Sequence, residues 1–320
     1  MKRSIIFTLS LVGLIGAFSC SVEHELDEEE ITKISFSIDR ARFEDENPLT
    51  KTQFGLSGSN NETTLWAVND TVGIYPNAGA QVYFVTTAGG VPTVSFDGGG
   101  WAFKSNMDYY SYCPFIGDFY LDKTAIPLNY QAQKQVGKTG INTPTVSNFL
   151  YTDKTNSSAG TLNFQYHYLN TFMRFKLSGL PAGEYIRFAV KAPTPVFVKK
   201  GKFDLTATNP SVVGVEYTDM LYVNLEDFTV AANEEVRVYL FAAPMDLTNG
   251  GSGTQLKVSI WNKDKKEYTC NKTSNKTLNV GVFNGYTCPT SGDSWTEVNQ
   301  SVGFDFDDWG DGGSIGGNAD

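Results

Sequence analysis

Few side chains of this chain could perform acid–base or nucleophilic chemistry. It has two histidines, His24 and His167, and His24 lies in a short acidic stretch near the N-terminus. A Ser-His-Asp or Cys-His arrangement would therefore have to use His167, which lies in an alternating segment predicted to be a strand, where a lone histidine is usually structural. No Cys/His spacing matches a zinc site, and no glycine-rich loop precedes a helix. We predict no catalytic site, no metal and no cofactor.

Carboxylates offer two further kinds of chemistry. In "DFDDWGDGG", Asp305, Asp307 and Gly310 have the spacing of an EF-hand start. Trp309, however, stands at the third ligand position, and Gly316 stands where a bidentate glutamate is needed, so a solvated acidic tail is the favoured interpretation. A secreted glycosidase would need two carboxylates from distant strands in one cleft, and nothing in the sequence nominates a pair.

Aromatic side chains could instead stack on sugars. The segment "YYSYCPF" contains Tyr109, Tyr110, Tyr112 and Phe115. Aromatic residues at this density in a strand mostly belong to a core, so a sugar-binding platform is the minor alternative here.

Three of the four cysteines lie in the body of the chain. Cys113 follows three tyrosines in the same aromatic strand and is predicted to be a buried, small apolar residue. Cys270 and Cys288 flank a segment that reads as a hairpin, and they could form a disulfide in an oxidising compartment. Strand register decides whether they can pair, and the sequence does not show register, so both states stay open.

The N-terminus indicates export. Lys2 and Arg3 precede a short apolar segment and then small residues, which is typical of a secretory signal covering residues 1–19. The junction before Cys20 resembles a bacterial lipobox, in which the cysteine is acylated and becomes the mature N-terminus. An ordinary signal peptide with an incidental cysteine is the alternative. Two or more acyl chains would anchor the mature protein to a membrane without spanning it.

The acidic charge is concentrated at the two ends. The formal net charge is −10, yet residues 31–304 carry 24 acidic and 23 basic side chains. The stretch 20–30 is predicted to be the acylated cysteine followed by an extended acidic tether, because like charges repel. A nearly neutral body gives no support for a nucleic-acid partner.

The body of the chain reads as strands and turns. Residues 34–38 alternate apolar and polar, with Ile34, Phe36 and Ile38 on one face, and similar short segments recur at regular spacing with Gly, Asn and Pro between them. From residue 133 to 158 the alternation fails, which predicts a long loop that joins two domains or closes the first.

The predicted fold is all-β, with two tandem β-sandwich domains, because about 300 residues exceed what one core usually supports. We expect an N-terminal domain over residues 31–160, a C-terminal domain over 161–309 and a Gly/Asp tail over 310–320.

Several segments, in order, resemble the fimbrillin-like family of lipoprotein pilus subunits. They cover roughly residues 31–300 and are "TLWAVNDTVGIYP", "MDYYSYCPF", "IPLNYQAQKQ" to "NFLY", "FQYHYLNTFMRFKL" and "VRVYLFAAP". The resemblance implies two sandwich domains of transthyretin-like topology, attachment to the outer membrane as a lipoprotein, and trypsin-like cleavage after an arginine that removes the first strand. The vacated groove then accepts a C-terminal strand of the next subunit.

The resemblance nominates residues for each step. The displaced strand would contain Ile34, Phe36 and Ile38, and Arg40 and Arg42 are the candidate cleavage points. Val302, Phe304 and Phe306 would form the donor strand. The expected partners are other pilus subunits, the outer membrane through the lipid anchor, and a host protein or glycan as adhesion ligand.

Two functions follow from these observations. The first is a surface-exposed pilus subunit or adhesin that assembles by strand exchange. The alternative is a carbohydrate-binding surface lipoprotein of a glycan-uptake system, which a solvent-facing cluster of two or three aromatic residues beside polar groups would favour. A hydrophobic groove under residues 31–39 would favour assembly.

Overall fold

The fold was analysed in a computed structural model, which describes residues 31, 33–39, 42–43, 66, 68–76, 80–91, 93–97, 103–131, 133–138, 148–157, 160–290 and 292–298. Arg42 and Phe43 are described by their backbone alone. Outside these ranges lie the predicted signal peptide, the tether and the tail, together with Cys20, Arg40, Val302, Phe304 and Phe306.

The first half of the described chain contains eleven strands: β1 (Lys33–Ile38), β2 (Arg42–Phe43), β3 (Thr71–Pro76), β4 (Val82–Val85), β5 (Thr93–Asp97), β6 (Asp108–Cys113), β7 (Ile126–Asn129), β8 (Gln133–Val136), β9 (Leu150–Thr152), β10 (Thr155–Asn156) and β11 (Thr161–Tyr168). Alternating, β-branched and aromatic residues account for most of them, because such side chains pack well on a pleated surface with one buried face.

The second half contains thirteen more: β12 (Thr171–Leu177), β13 (Gly183–Lys191), β14 (Phe197–Phe203), β15 (Val213–Thr218), β16 (Met220–Glu226), β17 (Thr229–Val230), β18 (Val236–Ala242), β19 (Met245–Asp246), β20 (Thr254–Asn262), β21 (Glu267–Ser274), β22 (Thr277–Leu278), β23 (Val282–Cys288) and β24 (Thr296–Val298). One short 3-10 helix covers Asn249–Gly251. The all-β prediction is confirmed. No helix in the described ranges is long and apolar enough to cross a bilayer.

The first sheet has eight strands in the order β4-β3-β6-β9-β11-β1-β5, with β10 attached to β6. β1 lies inside this sheet, parallel to β11 and antiparallel to β5. β11 begins at residue 161, where the second domain is predicted to start, yet it pairs with β9 and β1. Hydrogen bonding therefore extends the first sheet to Tyr168, and the division into two domains, like the transthyretin-like topology, stays a prediction.

The remaining strands form four smaller sheets. Their orders are β18-β12-β23-β2, β24-β21-β20-β13-β16-β8 with β17 attached to β13, β15-β14-β7, and β19-β22. Three of these sheets take a strand from the first half of the chain, since β2 pairs with β23, β7 with β14 and β8 with β16. The two halves therefore share strands as well as a covalent connection.

The prediction of one long loop over residues 133–158 is wrong for its described parts, which contain β8, β9 and β10. β8 escapes a search for apolar alternation because its buried residues are Gln133 and Gln135. Their side-chain amides form hydrogen bonds with the backbone at the edge of β18, in the way that the backbone of an adjacent strand would. Gln133 exchanges two 2.8 Å hydrogen bonds with Phe241, while Gln135 accepts from the Tyr239 amide at 3.0 Å and donates to the Arg237 carbonyl at 2.9 Å.

The core of the second half contains stacked aromatic pairs on neighbouring parallel strands. Phe172 of β12 stacks on Phe283 of β23 with ring centroids 4.3 Å apart, and Phe175 stacks on Tyr286 at 4.9 Å. The register of β12 on β23 places each pair side by side, so both rings of each pair point into the same core. Such contacts add to the apolar burial that stabilises this sheet.

Candidate functional site

The candidate site is the position of β1 in the first sheet. Residues 33–38 pair with residues 161–166 of β11 in parallel, and residues 33–37 pair with residues 93–97 of β5 in the opposite direction. Both backbone edges of β1 are therefore used. Without β1, the facing edges of β5 and β11 would lose their hydrogen-bond partners, and such edges accept another strand.

The inner face of β1 is buried in an aromatic cluster. Ile34 and Phe36 are fully buried, and Ile38 is 8% exposed. The Phe36 ring lies at centroid distances of 5.7 to 6.1 Å from four other rings, those of Trp66, Phe84, Phe164 and Tyr166. The indole N–H of Trp66 also donates to the Phe36 carbonyl at 3.1 Å. β1 thus supplies the centre of this core.

The outer face of β1 makes short polar contacts with both neighbours. The Ser35 hydroxyl donates to the side-chain carbonyl of Asn163 on β11 at 2.5 Å. The Ser37 and Thr93 hydroxyls lie 3.0 Å apart across β1 and β5. These small polar residues leave the outer face partly exposed, which explains the alternating pattern of the strand.

A polar cluster holds the C-terminal end of β1. The carboxylate of Asp39 accepts a hydrogen bond from Gln165 Nε2 at 2.7 Å and another from His167 Nδ1. The other ring nitrogen of His167, Nε2, lies 3.4 Å from a carboxylate oxygen of Asp153. The backbone N–H of Asp39 donates to the Tyr166 carbonyl at 2.8 Å. His167 therefore contacts a carboxylate through each of its two ring nitrogens.

The chain that follows β1 reaches a different sheet. β2 pairs in parallel with β23, with Arg42 opposite Val282 and Phe43 opposite Phe283. β2 lies at the edge of that sheet. Of the two candidate cleavage points, Arg42 belongs to this edge strand, and Arg40 falls outside the described residues.

The two cysteines considered as a possible disulfide are neighbours, with free thiols. Cys270 lies on β21 and Cys288 on β23, strands of two different sheets, and both are buried. A hydrogen bond from the Cys288 thiol lowers the pKa of Cys270 and raises that of Cys288. Their oxidation to a disulfide stays a prediction. Cys113 is buried as predicted, and burial raises its pKa well above the usual value.

The four residues considered for sugar stacking do not form one surface. Tyr109 and Tyr112 are buried, whereas Tyr110 and Phe115 are partly buried. Phe115 instead belongs to a group that we call the surface aromatic cluster, formed by Tyr83, Phe115 and Phe119. Tyr83 stacks on Phe115 at 5.1 Å and 16°, and Phe119 lies 5.7 Å from Phe115. Tyr83 and Phe119 are 40% and 44% exposed.

No family model matches the chain, and no curated protein matches it. Its fold is similar to two candidate cell adhesion proteins. One, from Bacteroides ovatus, has a TM-score of 0.49 and 15% identity over 83% of this chain and 94% of its own. The other, from Bacteroides uniformis, has a TM-score of 0.48 and 12% identity over 73% and 91%.

A further similar structure is that of a C-terminally truncated tip fimbrial protein from Porphyromonas gingivalis. Its TM-score is 0.33, with 9% identity over 77% of this chain and 86% of its own. These descriptions belong to the similar proteins.

Among the described residues, no group of three or more His, Cys, Asp or Glu side chains could hold a metal ion. Sequence reasoning missed Trp66, Gln165 and Asp39 as residues that hold β1. Only their tertiary contacts reveal them, because Trp66 and Gln165 lie far from β1 in sequence and Asp39 looks like an ordinary polar residue after a strand.

Proposed function

We propose that this chain is a surface-exposed fimbrillin-type lipoprotein that serves as a pilus subunit or adhesin and exchanges its first strand for one from another copy. One observation carries the proposal. β1, the first described strand, lies inside the first sheet, with both backbone edges paired and Phe36 at the centre of an aromatic core.

The physics of the exchange is strand addition. Removal of β1 would leave two open edges over an apolar groove, and a donated strand would satisfy the backbone groups while filling the side-chain pockets. The C-terminal segment offers a matching pattern, because Val302, Phe304 and Phe306 alternate with polar residues or glycine, as the buried residues of β1 do. Groove and donor are different surfaces of one chain, so the contact does not close on itself and generates a filament.

Cleavage and anchoring complete the proposed cycle. Arg40 and Arg42 follow β1 directly, so a trypsin-like protease acting there would cut β1 from the rest of the chain. Acylation of Cys20 would hold the uncleaved chain at the outer membrane and present it on the surface. The partners are then other pilus subunits, with a host protein or glycan as the adhesion ligand.

Limited trypsin digestion of the full chain in detergent tests the proposal. We expect cleavage after Arg40 or Arg42, followed by a ladder of oligomers in native mass analysis. The matched control replaces both residues (Arg40→Gln with Arg42→Gln) and should show no cleavage at positions 40 and 42 and remain monomeric. Cleavage that leaves a stable monomer, or no cleavage at either arginine, would rule out strand exchange.

Carbohydrate binding is a second candidate function, and the surface aromatic cluster favours it. Exposed rings can stack on the apolar face of a sugar, and the polar Asp118 directly precedes Phe119. Electrophoresis through gels containing soluble polysaccharides would test this, with Tyr83→Ala and Phe119→Ala abolishing any retardation. Tyr217→Ala is the control, since Tyr217 is 54% exposed on another sheet.

A further inference from the structure

We propose that Gln165 and His167 form a carboxylate clasp that fixes the register of the incoming strand, by holding Asp307 of a second copy where Asp39 is held in the uncleaved chain. This inference rests on the proposed strand exchange, and it names a contact that, together with the buried positions, selects one alignment of the donor.

The clasp is built on β11, which stays in place when β1 leaves. Gln165 and His167 both project from β11 and both donate to the Asp39 carboxylate, Gln165 at 2.7 Å. Hydrogen bonds to an ionised carboxylate are stronger than those between neutral groups. With Asp39 gone, the imidazole would still face Asp153 at 3.4 Å, and the side chains of Gln165 and His167 would be free to take another carboxylate.

The C-terminal segment carries a carboxylate at the matching position. Asp39 stands three positions after Phe36 in "FSID", and Asp307 stands three positions after Phe304 in "FDFD". With Phe304 in the pocket of Phe36, Val302 and Phe306 take the places of Ile34 and Ile38. The same alignment brings Asp307 to the clasp.

Slipped alignments are less favourable. A strand can shift by two residues without turning its apolar face outward, so alternation alone does not define one register. A shift in one direction would bring Gln300 into the buried place of Ile34. The opposite shift would bring Asp308 into the place of Ile38 and Trp309 to the clasp. Burying an unpaired amide or carboxylate is costly, so the buried positions disfavour both shifts. The clasp further disfavours the second shift, because Trp309 has no carboxylate. In the first shift Asp305 would reach the clasp, and the burial of Gln300 opposes that alignment.

The candidate donor lies close in sequence to the last described strand. β24 ends at Val298, and Val302 follows after only three intervening residues. That connection spans at most about 14 Å when extended, so the donor would leave close to the edge strand β24. Residues 299–320 outnumber the six residues of β1 that this segment would replace.

The test measures polymer formation by trypsin-treated full-length chain, as the protein concentration at half-maximal light scattering. We expect Asp307→Ala to raise that concentration about tenfold, the effect of losing charge-assisted hydrogen bonds. Asp308→Ala removes the same charge one residue away and should change it less than about twofold. His167→Ala combined with Asp307→Ala should add little to Asp307→Ala alone, because both remove one contact.

A register readout makes the test independent of stability. In the matched alignment, position 303 faces Asn163, as Ser35 does in β1. Cleaved chains carrying Asn163→Cys and Gly303→Cys should therefore form intermolecular disulfides, whereas Asn163→Cys with Asp305→Cys should form few. The uncleaved His167→Ala variant should unfold at a temperature within a few degrees of the wild-type midpoint, which shows that its effect on polymer formation is not a loss of stability. The Asp307→Ala and cross-linking measurements test the clasp independently of that variant.

The outcomes separate the two proposals. If cleaved wild-type chain forms no polymer, strand exchange fails and the clasp fails with it. If polymer forms but Asp307→Ala behaves like Asp308→Ala, the clasp is wrong and strand exchange stands. If Asp305→Ala is the sensitive variant, or if the 163–305 pair cross-links in place of the 163–303 pair, the donor binds slipped by two residues, in opposite directions in the two cases, and either result overturns the proposed register.

Discussion

β1 and β8 are both short strands that pair in parallel with a strand far along the chain, but they are held by different kinds of contact. β1 buries three apolar side chains and is paired along both backbone edges. β8 buries two glutamines, whose amides bond to the backbone of β18 while its own backbone pairs with β16. The buried face of β1 needs apolar side chains at alternate positions, whereas that of β8 needs amides at two defined places.

This difference bears on which strand could be exchanged. A groove that binds apolar side chains can accept another strand with the same alternation of apolar and polar residues. The C-terminal segment of another copy has this alternation. The position of β8 requires two side-chain amides in a fixed orientation. An apolar strand could not replace β8, because the backbone N–H and C=O groups of β18 would then lose their hydrogen-bond partners. Under the proposed strand exchange, β1 would be replaceable, whereas the amide contacts of β8 would make that strand specific.

The largest expected effect comes from emptying the β1 pocket. Phe36→Ala should lower the free energy of unfolding by about 3–5 kcal/mol, since it leaves a cavity among four aromatic rings. Urea unfolding followed by tryptophan fluorescence measures this, because Trp66 contacts the pocket. Ser37→Ala, on the outer face of the same strand, should cost about 1 kcal/mol or less. A loss below about 1 kcal/mol for Phe36→Ala would mean that β1 is not a core element.

The second prediction concerns a covalent link in the second half of the chain. Oxidation of Cys270 and Cys288 to a disulfide should raise the free energy of unfolding by about 3 kcal/mol. The disulfide would close the chain between residues 270 and 288 into a loop, which lowers the conformational entropy of the unfolded state. Thiol titration and mass analysis before and after treatment with oxidised glutathione would follow the reaction. Cys270→Ala under the same treatment is the control. If the wild-type chain gains no stability, or the thiols remain free, the disulfide prediction is wrong.

A third change tests the amide contacts of β8. Gln133→Met keeps the length of the side chain but leaves the N–H and C=O of Phe241 without these partners, and should cost about 2 kcal/mol. Gln255→Met is the matched control, since Gln255 is exposed and donates one bond, to Thr273; it should change stability by less than about 0.5 kcal/mol. Equal losses for the two variants would remove the basis for calling β8 specific.

The same contrast explains what could be predicted from the sequence. Alternation in residues 34–38 predicts both a strand and its buried face, and the structure agrees because apolar burial produced the pattern. Alternation of apolar residues could not reveal β8, because its buried residues are polar. Their side-chain amides form hydrogen bonds with β18, a strand about a hundred residues later in the chain. The pairing of β1 with β11 left no local signal either, since their contacts join residues 128 apart. Aromatic composition alone did not separate the buried Tyr112 from the partly exposed Phe115.

The smallest effect should come from the ion pair on β8. Lys134 lies between the two glutamines, on the opposite face of the strand, and its Nζ is 2.5 Å from a Glu226 carboxylate oxygen, with the two side chains 40% and 50% exposed. Because water and salt screen such a pair, Lys134→Ala should cost less than about 0.5 kcal/mol, and the loss should shrink further at high salt. Urea unfolding of this variant beside Gln133→Met, at low and high salt, gives the comparison directly. If Lys134→Ala cost as much as Gln133→Met, charge would hold β8 in place. The amides would then give β8 no specificity that β1 lacks.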